Sequence, residues 1–169
     1  MVEHTKRRVF EEGHRRKFVV VVDGTPECSV ALFFAARVAQ RTGGSISLVH
    51  IVETQGTGGW SSFGSISPGG GEVRAKEMFA TYREKLAEFG YSDLHTETVF
   101  REGNKAEEIT RFIEQDEDVA VLVLGAASDR RGPGPLVSSL ATGKIAGDFP
   151  VPIYIVPGTL SLEEIAALA

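Results

Sequence analysis

The stretch Val119-Ala-Val-Leu-Val-Leu124 is apolar at every position and leads directly into Gly125-Ala-Ala-Ser128. A short run that is apolar throughout is typical of a strand buried on both faces of a parallel sheet. The small residues after it allow a ligand to approach the backbone closely. We predict that a helix begins at Ser138-Ser139, with the unpaired N–H groups of its first turn facing this loop. The stretch therefore predicts a parallel sheet with a phosphate site at its edge.

Comparable apolar runs alternate with segments of helical periodicity along the rest of the chain. The predicted strands are 18–22, 46–52, 97–101, 119–124 and 151–156, and the predicted helices include 26–40, 75–89 and 138–146. Pro150, Pro152 and Pro157 mark the last strand as an edge strand, because proline cannot donate to a neighbouring strand. The alternation predicts an α/β fold, a single-domain, open, mostly parallel five-stranded sheet with helices on both faces.

Two boundaries divide the sequence into three segments. Residues 1–16 form a polar N-terminal arm, residues 17–158 form the main domain, and residues 159–169 form a short C-terminal helix. Ser161 and Glu164 have the spacing of a capping box at the start of that helix. Residues 54–71 are rich in glycine and serine around Trp60 and Phe63, which predicts a flexible loop or lid inside the main domain.

Composition excludes several functional classes. The chain has 169 residues with a net charge of −5 and a pI near 5.4, so nucleic-acid binding is not expected. Its single cysteine, Cys28, excludes an internal disulfide and a cysteine-based zinc cluster, and we predict that it is buried and inert. The sequence has neither a signal peptide nor an apolar run long enough to span a membrane. We therefore expect a cytoplasmic protein without membrane or nucleic-acid partners.

Residues at the carboxyl ends of three predicted strands are candidates for a binding site. Asp23, Glu53 and Gly125 follow strands and should share one edge of the sheet, where ligands of α/β proteins bind. The Asp23 carboxylate can accept a hydrogen bond from a ribose hydroxyl or a base amino group. The backbone of Ile51 can face the edge of an adenine. Arg130 and Arg131 could neutralise phosphate.

Each candidate also has a purely structural interpretation. Asp23-Gly24-Thr25 has the composition of a turn and helix cap, with Pro26 at the first helical position. Ser138 could serve only as a helix N-cap, and the two arginines could be solvated loop charges. The sequence contains no catalytic triad and no metal-binding spacing of histidines.

The chain resembles the universal stress protein family over residues 18–157. Five stretches carry the resemblance: Val20-Val-Val-Asp-Gly-Thr25, Leu48-Val-His-Ile-Val52, Glu102-Gly-Asn-Lys-Ala-Glu-Glu-Ile109, Val121-Leu-Val-Leu-Gly125 and Ile153-Tyr-Ile-Val-Pro157. Members that bind ATP carry the pattern Gly-x2-Gly-x9-Gly-Ser/Thr after the fourth strand. Here the same frame reads Gly125, Ser128, Ser138 and Ser139, so serine stands at two glycine positions.

The resemblance implies a Rossmann-like fold of the adenine nucleotide alpha hydrolase type, with strand order 3-2-1-4-5. It also implies a homodimer, often built through the last strand, and ATP as ligand, with or without Mg²⁺. The implied adenosine contacts are Asp23, Ile51, Leu124 and Gly125, and the implied phosphate contacts are Ser128, Ser138 and Ser139.

Three functions follow from these observations. The first is a stress-response regulatory module that binds ATP or a related adenine nucleotide without rapid turnover. The second is a dimeric adaptor from the branch of the family that does not bind nucleotides, acting through a protein partner, and the two serines motivate it. The third is an enzyme such as a weak nucleotidase, which only the predicted pocket supports.

Overall fold

All five strands run parallel in one sheet of order β3-β2-β1-β4-β5 in the computed structural model. The structure describes residues 3–54, 69–129, 131–142 and 144–169. The strands are β1 (Lys17–Val21), β2 (Ser45–Val52), β3 (Thr96–Glu102), β4 (Val119–Ala126) and β5 (Ile153–Pro157). The predicted fold class, strand order and edge position of the last strand are confirmed.

Helices cover both faces of this sheet. They are α1 (Pro26–Arg41), α2 (Gly70–Glu88), α3 (Lys105–Gln115), α4 (Pro135–Ala141) and α5 (Leu162–Leu168), with a 3₁₀ turn at Lys144–Gly147. α1, α2 and α5 contribute to one apolar cluster, and α3 and α4 contribute to the other. Alternate β1 residues supply the two clusters, Phe18 and Val20 on one face and Val19 and Val21 on the other. The apolar run is explained by this burial on both faces.

Helix starts agree with the sequence prediction at two places. The Asn104 side chain accepts a hydrogen bond from Glu107 N at the start of α3. Ser161 and Glu164 form the complete capping box of α5. Thr25 occupies the N-cap position of α1, but its side chain makes no capping bond to the helix. Thr25 is therefore the N-cap residue by position, as predicted, but without the side-chain hydrogen bond of a cap.

The start of α4 differs from the prediction. The sequence predicted a helix over 138–146 beginning at Ser138, whereas α4 runs from Pro135 to Ala141 with Gly134 as its N-cap. Proline is favoured at the first helical position, because its fixed φ suits the helix and its missing N–H is not needed there. Gly134 has a φ of +99°, which favours glycine. The Gly-Pro pair therefore sets the helix start one turn before the serines.

The N-terminal arm lies against the segment that connects α3 to β4. Arg7 Nη1 donates to Ile113 O at 2.6 Å and to Asp116 O at 2.8 Å. His14 Nδ1 lies 2.5 Å from Asp118 Oδ1. The arm thus places a cation at the carbonyl end of α3, where the helix dipole favours positive charge.

Several predicted features lie outside the described residues. Trp60 and Phe63 of the predicted loop, and Arg130 of the candidate site, belong to this group. Among the described residues, no helix is both long enough and apolar enough to cross a membrane.

We expect Arg7→Ala to lower the free energy of unfolding by about 1–3 kcal/mol, because two carbonyl acceptors lose their donor. Urea denaturation measures the loss. Lys6→Ala is the matched control, since Lys6 is an exposed cation of the same arm. Equal stability of the two variants would show that the arm contributes nothing through Arg7.

Candidate functional site

The carboxyl ends of β1 and β4 border a depression of about 250 Å³. It brings together Asp23, Leu124 and Gly125, three of the predicted site residues. These residues are adjacent because β1 and β4 are neighbouring parallel strands. The remaining lining residues come from β1, from the starts of α1 and α3, and from the loop before α4 and its first turn: Val21, Thr25, Glu27, Cys28, Lys105, Pro133, Gly134, Pro135, Leu136 and Val137.

Asp23 forms a turn with Gly24 and Thr25, as the structural interpretation of these three residues predicted. Its Oδ1 accepts hydrogen bonds from Thr25 N at 3.0 Å and from Thr25 Oγ1 at 2.7 Å. Gly24 between them has a φ of +84°, a conformation that favours glycine. Both bonds go to the same oxygen, so the turn does not use Oδ2. Asp23 can therefore hold the turn and still offer a carboxylate oxygen to a ligand.

Gly125 is required by packing inside the protein. A Cβ at this position would lie 2.3 Å from the carbonyl oxygen of Glu27, in the first turn of α1. Gly158 meets the same turn, because its Cβ would lie 2.8 Å from Glu27 Cβ. From the sequence alone, we explained the small residue at 125 by the close approach of a ligand to the backbone. The structure gives a second reason for it, the close contact between the end of β4 and α1.

Two further depressions continue from the first along the loop after β4. One, of about 430 Å³, is lined by Glu27, Ala127, Asp129, Arg131, Gly132, Gly134, Pro135 and Ser138. The other, of about 330 Å³, is lined by Thr25, Pro26, Glu27, Ala127, Ser128, Asp129 and Gly158. Ser138 and Ser128 thus border different depressions. Neither Ile51 nor Ser139 lines any of the three.

The two serines of α4 do not begin the helix, contrary to the sequence prediction. Ser138 N donates to Gly134 O at 3.0 Å, so it is already inside the helical hydrogen-bond pattern. Ser139 Oγ donates to Leu136 O at 3.2 Å. Ser138 has helical backbone geometry, which any L-residue adopts, so its Cβ causes no backbone strain. The hydroxyl of Ser138 is exposed, whereas that of Ser139 is engaged within the helix.

Ile51 can reach a ligand only through its backbone. Its side chain is buried in the cluster shared with α3 and α4. The last β1 residue paired with β2 is Val21, opposite Val49. β2 continues from there to Val52, so the Ile51 peptide lies beyond the β1 ladder. The predicted contact between Ile51 and an adenine can therefore be made only by the backbone of Ile51.

Sequence reasoning missed Glu27 and Lys105, which both line the first depression. Glu27 lies in the first turn of α1, and Lys105 is the first residue of α3. The signal was available in principle, because a helix that follows a parallel strand begins at the same edge of the sheet. First-turn residues of both helices were therefore candidates.

Cys28 at the base of the depression is not a nucleophile. Its Sγ donates to Val21 O at 3.2 Å, and burial raises the pKa of the thiol to about 12. The thiol therefore stays protonated at neutral pH. This agrees with the prediction of a buried, inert cysteine.

Residues 14–157 match the family model described as Universal stress protein family. The chain belongs to the universal stress protein family. A solved universal stress protein from Lactobacillus plantarum superposes with a TM-score of 0.61 and 18% identity, covering 86% of this chain and 99% of its own. One from Archaeoglobus fulgidus, in complex with dAMP, has a TM-score of 0.55 and 21% identity, covering 83% and 97%.

A family protein from Arabidopsis thaliana with AMP bound gives a TM-score of 0.56 and 15% identity, covering 84% of this chain and 91% of its own. At these identities the likeness shows a shared fold. A search of curated proteins found no match.

We expect Gly125→Ala to lower the free energy of unfolding by about 1–3 kcal/mol, because the added Cβ overlaps the Glu27 carbonyl group. Urea denaturation measures it. Gly147→Ala is the control, since a Cβ there meets open space. A Gly125→Ala protein as stable as the control would contradict the close packing of β4 on α1.

Proposed function

We propose that this protein is a cytoplasmic stress-response module that binds ATP or a related adenine nucleotide without rapid turnover. The observation that carries the proposal is the convergence of Asp23, Leu124 and Gly125 on one depression at the carboxyl edge of the sheet. Ligands of open α/β sheets bind at this edge. Family members from Archaeoglobus fulgidus and Arabidopsis thaliana with this fold hold dAMP and AMP, which supports an adenine nucleotide as ligand.

Each candidate site residue has a proposed role. Asp23 Oδ2 accepts a hydrogen bond from a ribose hydroxyl, and the Ile51 backbone faces the adenine edge. Leu124 and Gly125 lie beside the ribose, and Lys105 offers a positive charge to a phosphate. Ser128 and Ser138, which border the neighbouring depressions, are the proposed hydroxyl contacts for further phosphates. Ser139 follows Ser138 in the family pattern, but its hydroxyl donates a hydrogen bond to Leu136 O.

Slow turnover fits the chemistry of the lining groups. Cys28 is protonated at neutral pH, as its raised pKa of about 12 requires. The Asp23 carboxylate is held by Thr25 in a turn. A carboxylate held in this way binds and orients a ligand.

Nucleotide-stripped protein is expected to melt several degrees higher with millimolar AMP or with millimolar ATP and Mg²⁺. A ligand at a hundred times its dissociation constant adds about 2.7 kcal/mol to the free energy of unfolding. Asp23→Ala should lose the shift, because the ribose hydroxyl loses its acceptor. Differential scanning fluorimetry and titration calorimetry measure the two effects.

Asp93→Ala is the matched control, since Asp93 is an exposed aspartate before β3, at the opposite edge of the sheet. It should keep the full ligand shift. No shift in the unmodified protein, together with no heat of binding, would contradict nucleotide binding and favour the adaptor function.

A homodimer formed through β5 is part of the proposal. β5 is an edge strand, and its Tyr154 and Ile155 side chains are exposed. An exposed edge with apolar side chains is a natural surface for pairing with a second copy by two-fold symmetry.

Ile155→Lys should therefore convert a dimer into a monomer, because the charge would be buried at the interface. Sedimentation velocity measures the mass. Val73→Lys, at an exposed valine of α2, is the control and should remain dimeric. A monomeric unmodified protein would refute the proposed dimer.

A further inference from the structure

Glu27 lies where the three depressions of the binding edge meet. It lines all of them, including the two bordered by Ser128 and Ser138. Its position is fixed, because the first turn of α1 packs against Gly125 and Gly158, at distances that leave no room for a Cβ at either glycine. A ligand that extends from Asp23 towards the loop after β4 therefore enters depressions that Glu27 also lines.

In each of the three depressions, the described lining residues include more carboxylates than cations. The first depression is lined by Lys105 and by the two acidic residues Asp23 and Glu27. The second is lined by Arg131 and by the two acidic residues Glu27 and Asp129. The third is lined by Glu27 and Asp129 with no lysine or arginine among its described residues. Among the residues that the structure describes, the surface proposed for additional phosphates thus offers more carboxylates than cations.

Two observations argue against neutralisation of Glu27 by its surroundings. Among the described residues, no lysine, arginine or histidine forms an ion pair with it. Likewise, no group of three His, Cys, Asp or Glu residues in the described part of the chain could hold a metal ion. No side chain in the described part of the chain therefore forms an ion pair with the Glu27 carboxylate.

The N-terminus of α1 would otherwise attract phosphate. The positive end of a helix dipole favours an anion within the first turn. Here Glu27 in the first turn of this 16-residue helix supplies the anion from the protein itself. A phosphate that approaches α1 meets a carboxylate at the place where the dipole is strongest.

We propose that Glu27 selects the ligand by charge, so that the site binds adenosine or AMP in preference to ATP. The inference rests on the proposed nucleotide site and narrows its ligand. Lys105 compensates one phosphate group, and each further phosphate is brought towards Glu27 and Asp129. Exclusion by an unfavourable charge contact is a common source of specificity.

The test compares adenosine, AMP and ATP by titration calorimetry in EDTA, for the unmodified protein and for Glu27→Gln. We expect the unmodified protein to bind ATP more weakly than AMP. Glu27→Gln should raise the affinity for ATP about fivefold relative to adenosine, since it removes one like-charge contact near the phosphates. Glu12→Gln is the control, because Glu12 is an exposed glutamate before β1, at the opposite edge of the sheet.

The effect of salt gives a second measurement that needs no variant. Repulsion between ATP and the carboxylates is screened by salt, so raising the NaCl concentration should strengthen ATP binding relative to adenosine. If the site attracted the phosphates instead, raising the NaCl concentration would weaken ATP binding relative to adenosine. If Glu27→Gln fails to fold, Asp129→Asn replaces it, because asparagine keeps an acceptor for Arg131 N, which now bonds to Asp129 Oδ1 at 2.8 Å.

The outcomes separate the two proposals. If none of the three ligands binds, the proposed nucleotide site fails. If adenosine and AMP bind but ATP binds as tightly as AMP, only selection by charge fails. The titrations are repeated with Mg²⁺. If the unmodified protein then binds ATP more tightly than AMP, and Glu27→Gln loses this preference, Glu27 is a metal ligand and the proposal is overturned.

Discussion

The contact between the end of β4 and the first turn of α1 determines the arrangement of the binding edge. Gly125 has no room for a Cβ beside the Glu27 carbonyl group, and Gly158 is confined by the same turn. This contact fixes where α1 begins relative to β4. Asp23, which precedes α1, is thereby held beside Leu124 and Gly125. The depression, its carboxylates and the path along the loop all depend on this one packing constraint.

Most of the fold could be predicted from the sequence because the signals were local. The apolar run of β1 has the burial of a central strand, and the prolines around β5 exclude a central position. The start of α4 was predicted at Ser138 because serine is a common N-cap. Gly134 and Pro135 set the start earlier, through a left-handed backbone and a fixed φ.

The candidate site was predictable only in part. Asp23 and Gly125 could be found because they follow strands, and the ends of parallel strands share one edge. Glu27 could not be assigned a role from the same rule alone, because its position at the junction of three depressions results from the packing of α1 on β4, which are far apart in sequence. Ser139 was predicted from its spacing in the motif, and only the geometry showed that its hydroxyl bonds to Leu136 O.

The order of the strands has a consequence for folding during synthesis. β1 lies at the centre of the sheet between β2 and β4, and β4 follows it in the sequence by about a hundred residues. The nascent chain can therefore pair β1 with β2, and β2 with β3, but it exposes the other edge of β1 until β4 has left the ribosome. The arm bonds, such as Arg7 to Ile113 and His14 to Asp118, also wait for that segment. The unpaired edge of β1 is the surface most exposed to misassembly until β4 has emerged.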